Sequence, residues 1–147
     1  RVKRLEKIIG GDTFMLTYGD AVSDINIKEL VEFHKKSEKH ATVTAVHPSA
    51  RFGELSINEN NEVISFQEKP QTNTGWINGG FFVFDSTLFS LIKGDSTILE
   101  REPLEKLAES NHLVAFKHKG FWQCMDTMRD KIFLLQLIKK NSAPWTK

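Results

Sequence analysis

Short apolar runs of strand character alternate along the chain with stretches of helical period. "TFMLTY", Thr13 to Tyr18, reads as a buried strand that halts at Gly19-Asp20. "DINIKELVEFHKKSEKH" places Ile27, Leu30, Val31 and His34 on one face of an amphipathic helix. Asp24 or Asn26 would cap that helix, and Asn26 with Glu29 resembles a capping box. "ATVTAVHP" is rich in β-branched residues and ends at Pro48, which predicts a strand. "GELSINENNEVISFQEKP" predicts two strands around the turn Asn58-Glu59-Asn60-Asn61, with Ile64, Phe66 and Glu68 sharing one face of the second. "WINGGFFVFD" is a further strand, interrupted by Gly79-Gly80. Paired glycines in an apolar strand mark a bulge, or a close backbone approach to a ligand or a neighbouring strand.

The flanking segments complete the pattern. Residues 1–8 read as a short helix stopped by Gly10-Gly11-Asp12. Residues 97–110 carry a helical pattern in which Pro103 fits only at a helix start. "HLVAFKHKGFWQCM" is one or two strands, "TMRDKIFLLQLIKK" is a helix and "NSAPWTK" is a tail. Strands mixed with helices, without repeat or linker, predict a single α/β domain over residues 1–147 with an antiparallel β-hairpin attached and a C-terminal helix.

Composition narrows the function classes. The 147 residues suffice for one core, and 39% hydrophobic with 27% charged residues is ordinary for a globular chain. Twenty basic against nineteen acidic residues leave a net charge of +1, so no charge excess points to nucleic acid or an anionic membrane. The single cysteine, Cys124, excludes an intrachain disulfide and fits a cytoplasmic protein. No apolar run is long enough to span a bilayer. The five histidines show no metal-ligand spacing among themselves or with Cys124, and the three tryptophans read as packing residues.

Three places could carry chemistry. The strand ending at Asp20 would present a carboxylate at a sheet edge, where it could meet Mg²⁺ beside a phosphate; alternatively Asp20 is a turn residue and Asp24 a helix cap. "MDT", Met125 to Thr127, repeats the arrangement of strand, acid and helix, and Asp126 or Thr127 could equally be a cap. Two strand-end aspartates could converge on one divalent ion against a polyphosphate. "FQEKP" sets Glu68 and Lys69 before Pro70. A glutamate can accept from adjacent sugar hydroxyls and a lysine is a point charge for a phosphate, although an exposed charged pair before a turn is the commoner case.

Taken in order, "TFMLTYGDAVSDINI", "RFGEL", "FQEKP", "WINGGFFVF", "LEREPLEKLA" and "GFWQCMDTMRDK" resemble the sugar-phosphate nucleotidyltransferases over essentially the whole chain, and within them the cytidylyltransferase branch. The resemblance implies a Rossmann-like, mixed-sheet nucleotidyltransferase domain. It implies transfer from CTP to α-D-glucose 1-phosphate, giving CDP-glucose and pyrophosphate with Mg²⁺ as cofactor and no covalent intermediate. Carried over by motif, Asp20 and Asp126 are the expected Mg²⁺ carboxylates, Lys69 the contact to the sugar phosphate and Glu68 the contact to glucose hydroxyls. Gly53, Asn78 and Gly79 would line the hexose pocket.

Two departures shape the expectation. Position 21 is Ala where the family pattern has Gly, so a methyl would crowd the nucleotide or demand a φ that Ala dislikes. The family's glycine-rich loop of the type Gly-x-Gly-Thr-Arg-Leu, with its following lysine, has no counterpart in these residues. The chain therefore reads as the C-terminal, sugar-phosphate and metal half of such a domain, binding CTP poorly and inactive or slow alone. The alternative is a non-catalytic sugar-phosphate-binding or oligomerisation remnant. "IFLLQLI" in the last helix, six apolar residues in seven, is wider than one buried stripe needs. Either the helix is central to its own core or the chain forms a homo-oligomer through it.

Overall fold

The computed structural model describes residues 2–48, 54–67 and 75–146. Its strands are β1 (Phe14–Thr17), β2 (Ala21–Ser23), β3 (Ala41–Val46), β4 (Glu54–Ile57), β5 (Val63–Gln67), β6 (Ile77–Phe84), β7 (Leu113–Lys117) and β8 (Trp122–Cys124). Its helices are α1 (Glu6–Ile9), α2 (Ile27–Ser37), α3 (Leu88–Leu91), α4 (Glu102–Glu109) and α5 (Met128–Lys139). The central sheet has the order β1-β6-β3-β7; β6 is antiparallel to both neighbours, and β3 is parallel to β7. The expected mixed α/β sheet is therefore present, and "HLVAFKHKGFWQCM" resolves into two strands belonging to different sheets.

Strand β6 shows why the sheet holds. Side chains alternate across a strand, so Phe82 and Phe84 face one layer and Val83 the other. On the first face they pack with Ala41, Leu88, Ile92 and Leu107, which brings in α3 and α4. On the second, Val83 meets Ile25 and Leu30 beneath α2. A strand covered on both faces has no polar alternation, which is why "FFVF" is apolar throughout. Each fully buried side chain of this size contributes about 1.5–3 kcal/mol.

The sheet's edge corrects one expectation. Among the described residues β1 pairs only with β6, and Met15 on its outer side is 57% exposed, so the stretch is an edge strand with one packed side rather than a buried strand. The helix expected over 97–110 is shorter: α4 begins at Glu102 with Pro103 in its first turn, and turn hydrogen bonds such as Arg101 N–H to Ile98 C=O occupy the preceding residues. The single turn α3 is too short to register as a period. α2 matches its pattern except that Ile27 is exposed. Asn26, not Asp24, is its cap, with Oδ1 accepting from the N–H groups of Lys28 at 3.1 Å and Glu29 at 3.2 Å. Glu29 answers through the Asn26 side-chain amide at 2.8 Å. His34 is buried and satisfied by Thr42 Oγ1 at 2.9 Å.

The hairpin β4–β5 turns where the asparagines predict, with Asn61 at φ 64° and Asn58 Oδ1 accepting from Asn60 N–H at 3.0 Å and Glu62 N–H at 2.9 Å. Leu55, Ile57, Val63, Ile64 and Phe66 along it are exposed. α5 is exposed too: within "IFLLQLI" only Leu134 is buried, while Ile132, Phe133, Leu135 and Ile138 face outward. The helix is not central to its own core.

Candidate active site

Two short strands build the site. β2 and β8 pair antiparallel in the register Ala21↔Cys124, Val22↔Gln123 and Ser23↔Trp122. Met125 N–H extends the ladder to Asp20 C=O at 2.7 Å. Asp20 and Asp126 thus emerge at the same end of one ribbon, although far apart in sequence. Both line a cleft of about 740 Å³, and Asn78 and Gly79 from β6 line it as well. Four of the expected site residues are therefore brought together. Gly53, Glu68 and Lys69 lie outside the described residues.

The caps of α2 and α5 are Asn26 and Thr127, not the neighbouring aspartates. Thr127 is the N-cap of α5, its Oγ1 accepting from Asp130 N–H at 3.2 Å while Asp130 Oδ2 accepts from Thr127 N–H at 2.9 Å. Asp126 is not the cap; its Oδ2 accepts from the Cys124 thiol at 3.4 Å. Burial and the neighbouring Asp126 push the Cys124 thiol up, so it stays protonated and unreactive. Asp24 is engaged elsewhere, 2.9 Å from His118 Nε2, which makes that histidine structural.

The glycine pair answers to the protein itself. A Cβ on Gly79 would stand 2.8 Å from Val46 Cγ1 and 3.1 Å from Thr44 O. Gly80 has φ +77°, and a Cβ there would meet the Tyr18 ring at 2.8 Å. The β3–β6 register shifts between Val43 and Ala45, so the pair sits in a bulge. Gly79 C=O accepts from Trp122 Nε1–H at 2.8 Å, tying sheet to ribbon. Asn78 is held by its Oδ1, which accepts from Gly80 N–H at 2.8 Å, and its amide nitrogen lies 3.4 Å from the Tyr18 hydroxyl.

Ala21 raises no backbone problem. Among described non-glycine residues positive φ occurs only at Glu38, Asn61, Asn111 and Asn141, so the expected strain at position 21 is absent. A Cβ on Gly19 would have nothing within 4 Å. Neither packing nor φ demands glycine there, and its smallness leaves space at the mouth of the ribbon. The other tryptophans pack: Trp145 stacks on Phe121 with centroids 5.4 Å apart, and Trp76 lies 3.9 Å from His47.

Of the cleft residues that sequence reasoning did not single out, two carry polar chemistry of note. Tyr18 lines the cleft and its hydroxyl donates to Glu100 of "LERE"; burial, then Glu100, push the phenol up to about 12, so it remains a neutral donor. Only the fold brings Tyr18 and Glu100 together. The second is Arg129, three residues beyond Asp126 on the cleft side of α5.

Donor chemistry tests the expected ion. Among the described residues no group of three or more His, Cys, Asp or Glu side chains could hold a metal, which argues against a closed protein cage. Two aspartates on one ribbon are hard oxygen donors, and Mg²⁺ is commonly held by one or two carboxylates with substrate phosphates and water completing its shell. The residues present fit Mg²⁺ in that manner.

A mixed sheet flanked by helices, with two aspartates at one end of a ribbon beside a cleft, defines an α/β protein with a carboxylate-lined cleft. The sequence model of the nucleotidyl transferase family matches residues 2–130, and the chain belongs to that family. Within it, the chain is similar to glucose-1-phosphate cytidylyltransferase of Salmonella typhi, 49% identical over 146 residues, covering 99% of this chain and 56% of that protein. It is also similar to mannose-1-phosphate guanylyltransferase 1 of Arabidopsis thaliana, 30% identical over 145 residues, covering 92% of this chain and 40% of that protein. The crystal structure of HddC from Yersinia pseudotuberculosis superposes with a TM-score of 0.66 at 21% identity, covering 93% of this chain and 60% of that one. The chain thus spans little more than half the length of the Salmonella relative.

Proposed function

We propose that the cleft is the sugar-phosphate and metal half of a cytidylyltransferase active site. In the whole enzyme it would serve transfer of a cytidylyl group from CTP to α-D-glucose 1-phosphate, giving CDP-glucose and pyrophosphate. The observation that carries this reading is the β2–β8 pairing, which sets Asp20 and Asp126 on the cleft that Asn78 and Gly79 also line. The similarity to glucose-1-phosphate cytidylyltransferase supplies the choice of base and sugar.

In this reading Asp20 and Asp126 hold Mg²⁺, which when bound would neutralise phosphate charge as pyrophosphate departs. Lys69 contacts the sugar phosphate, Glu68 accepts from glucose hydroxyls, and Gly53, Asn78 and Gly79 shape the hexose pocket. The chain's own work is to orient the sugar phosphate for in-line attack and to balance charge, without covalent catalysis. The Asn78 carboxamide suits this, since Gly80 N–H fixes its oxygen and its nitrogen lies beside the cleft-lining Tyr18 hydroxyl. Because these residues contain no Gly-x-Gly-Thr-Arg-Leu loop, the 147-residue chain by itself should turn over slowly or not at all.

The proposal extends to self-association, supported by the exposed apolar side of α5, and to a cytoplasmic location. Among the described residues no helix is long and apolar enough to cross a membrane. The test of function is to mix the chain with CTP, glucose 1-phosphate and Mg²⁺ and follow CDP-glucose and pyrophosphate, with Asp20→Asn alongside. Brisk product formation that vanishes in Asp20→Asn would place a complete site in this chain and refute its inactivity alone. No product, together with glucose 1-phosphate binding by calorimetry, is the expected outcome. No binding would sink the sugar-phosphate reading.

A further inference from the structure

The proposed substrates are polyanions, yet three carboxylates line the cleft: Asp20, Asp126 and Asp130. Among the described lining residues Arg129 is the one cationic side chain. It sits in the first turn of α5, whose start is clamped by the capping box between Thr127 and Asp130. Arg129 makes no hydrogen bond or ion pair with the described residues, although three carboxylates line the same cleft. Asp130 is occupied by Thr127 and, at 3.3 Å, by Gln123 Nε2, so it does not draw the guanidinium down.

We infer that Arg129 is a phosphate-binding residue of this cleft, its planar fork gripping the same phosphate that a divalent ion at Asp20 and Asp126 would touch. The inference rests on the cleft being the sugar-phosphate site proposed above. Charge supports it: three carboxylates are balanced by one divalent ion and one guanidinium, and without Arg129 the described lining would repel a phosphate dianion. Geometry supports it as well. An arginine offers five N–H donors in a rigid plane that matches phosphate oxygens two at a time, and here no described residue takes any of them. A clamped helix start limits the side chain's search, so little order must be gained on binding.

Calorimetric titration of the 147-residue chain with glucose 1-phosphate at fixed Mg²⁺ tests this, comparing wild type, Arg129→Ala and Arg129→Lys. Arg129→Ala should weaken binding roughly 10- to 100-fold, as for loss of a charged hydrogen-bonding partner. Arg129→Lys should recover only part, because an ammonium lacks the fork. The thermal midpoint of both variants should match wild type, since the residue is exposed. Unchanged affinity in Arg129→Ala while wild type binds would overturn the inference and leave the cleft reading standing. Full affinity in Arg129→Lys would overturn the bidentate grip. A wild-type chain that binds no glucose 1-phosphate would overturn both. If Arg129→Ala proves unstable, Arg129→Gln, which keeps helix propensity, provides the comparison.

Discussion

Strand β6 and the β2–β8 ribbon are both antiparallel structures, and they use their pairing for different ends. β6 has a partner on each edge and a helical layer on each face, so Phe82, Val83 and Phe84 lose almost all contact with water. The ribbon has three residue pairs, all only half-buried, and opens onto a cleft. The difference teaches where each kind of free energy resides. Apolar burial holds the sheet. The ribbon keeps two carboxylates wet on one cleft, which a core could not do without a large desolvation cost. The regions are joined at Gly79, whose missing side chain lets β6 approach β3 and whose carbonyl receives Trp122 from the ribbon.

This contrast can be broken at chosen points. The largest effect should come from Phe82→Ala, which empties the middle of the sheet and should cost about 3–5 kcal/mol in urea unfolding. A cost near zero would mean that β6 is not the stabilising centre. Gly80→Ala should cost about 1–3 kcal/mol, because alanine must adopt φ +77° and press on the Tyr18 ring. If its denaturation midpoint matches wild type, the bulge is not as tightly built as its contacts imply.

A smaller effect should appear on acidification. Burial holds His34 below its ordinary value of 6.5, so the unfolded chain takes up this proton more readily than the folded one. Its stability contribution is intact above about 6.5 and declines as pH falls below that value toward the folded pKa. Melting between pH 7.5 and 5 should show a falling midpoint, with a flatter slope in His34→Gln; equal slopes would acquit His34. Asp85 acts in a lower window. Burial raises its carboxyl, but hydrogen bonds from Thr87 and His40 outweigh this and leave it below the ordinary 3.8, so its contribution fades only beneath that value. The smallest effect on stability should be Asp20→Asn, within about ±0.5 kcal/mol because the side chain is exposed. A large loss of stability there would make Asp20 a structural residue and erase the contrast between sheet and ribbon.

Much of the fold was legible along the chain. β3, β6 and α2 announced themselves because their apolar spacing matches a strand or helix period, and Asn58 to Asn61 announced the hairpin because asparagine tolerates left-handed φ. The edge character of β1 was not legible. An apolar run reads the same whether one neighbour or two will cover it. In "WINGG" the glycines were visible but their partner was not. Only the bulge shows that Val46, Thr44 and Tyr18 are the groups that require them.

By itself the sequence determined most of the elements, narrowed each cap to two neighbouring residues, and marked the candidate acids at Asp20 and Asp126, because each depends on residues within a turn or a strand of one another. Only the tertiary structure decided that β2 pairs with β8, that Tyr18 finds Glu100, that Arg129 shares a cleft with Asp20, and that α5 leaves its apolar side uncovered. Those outcomes join positions distant along the chain. Their free energy comes from surfaces that exist only after the sheet has formed, so no local spacing can encode them.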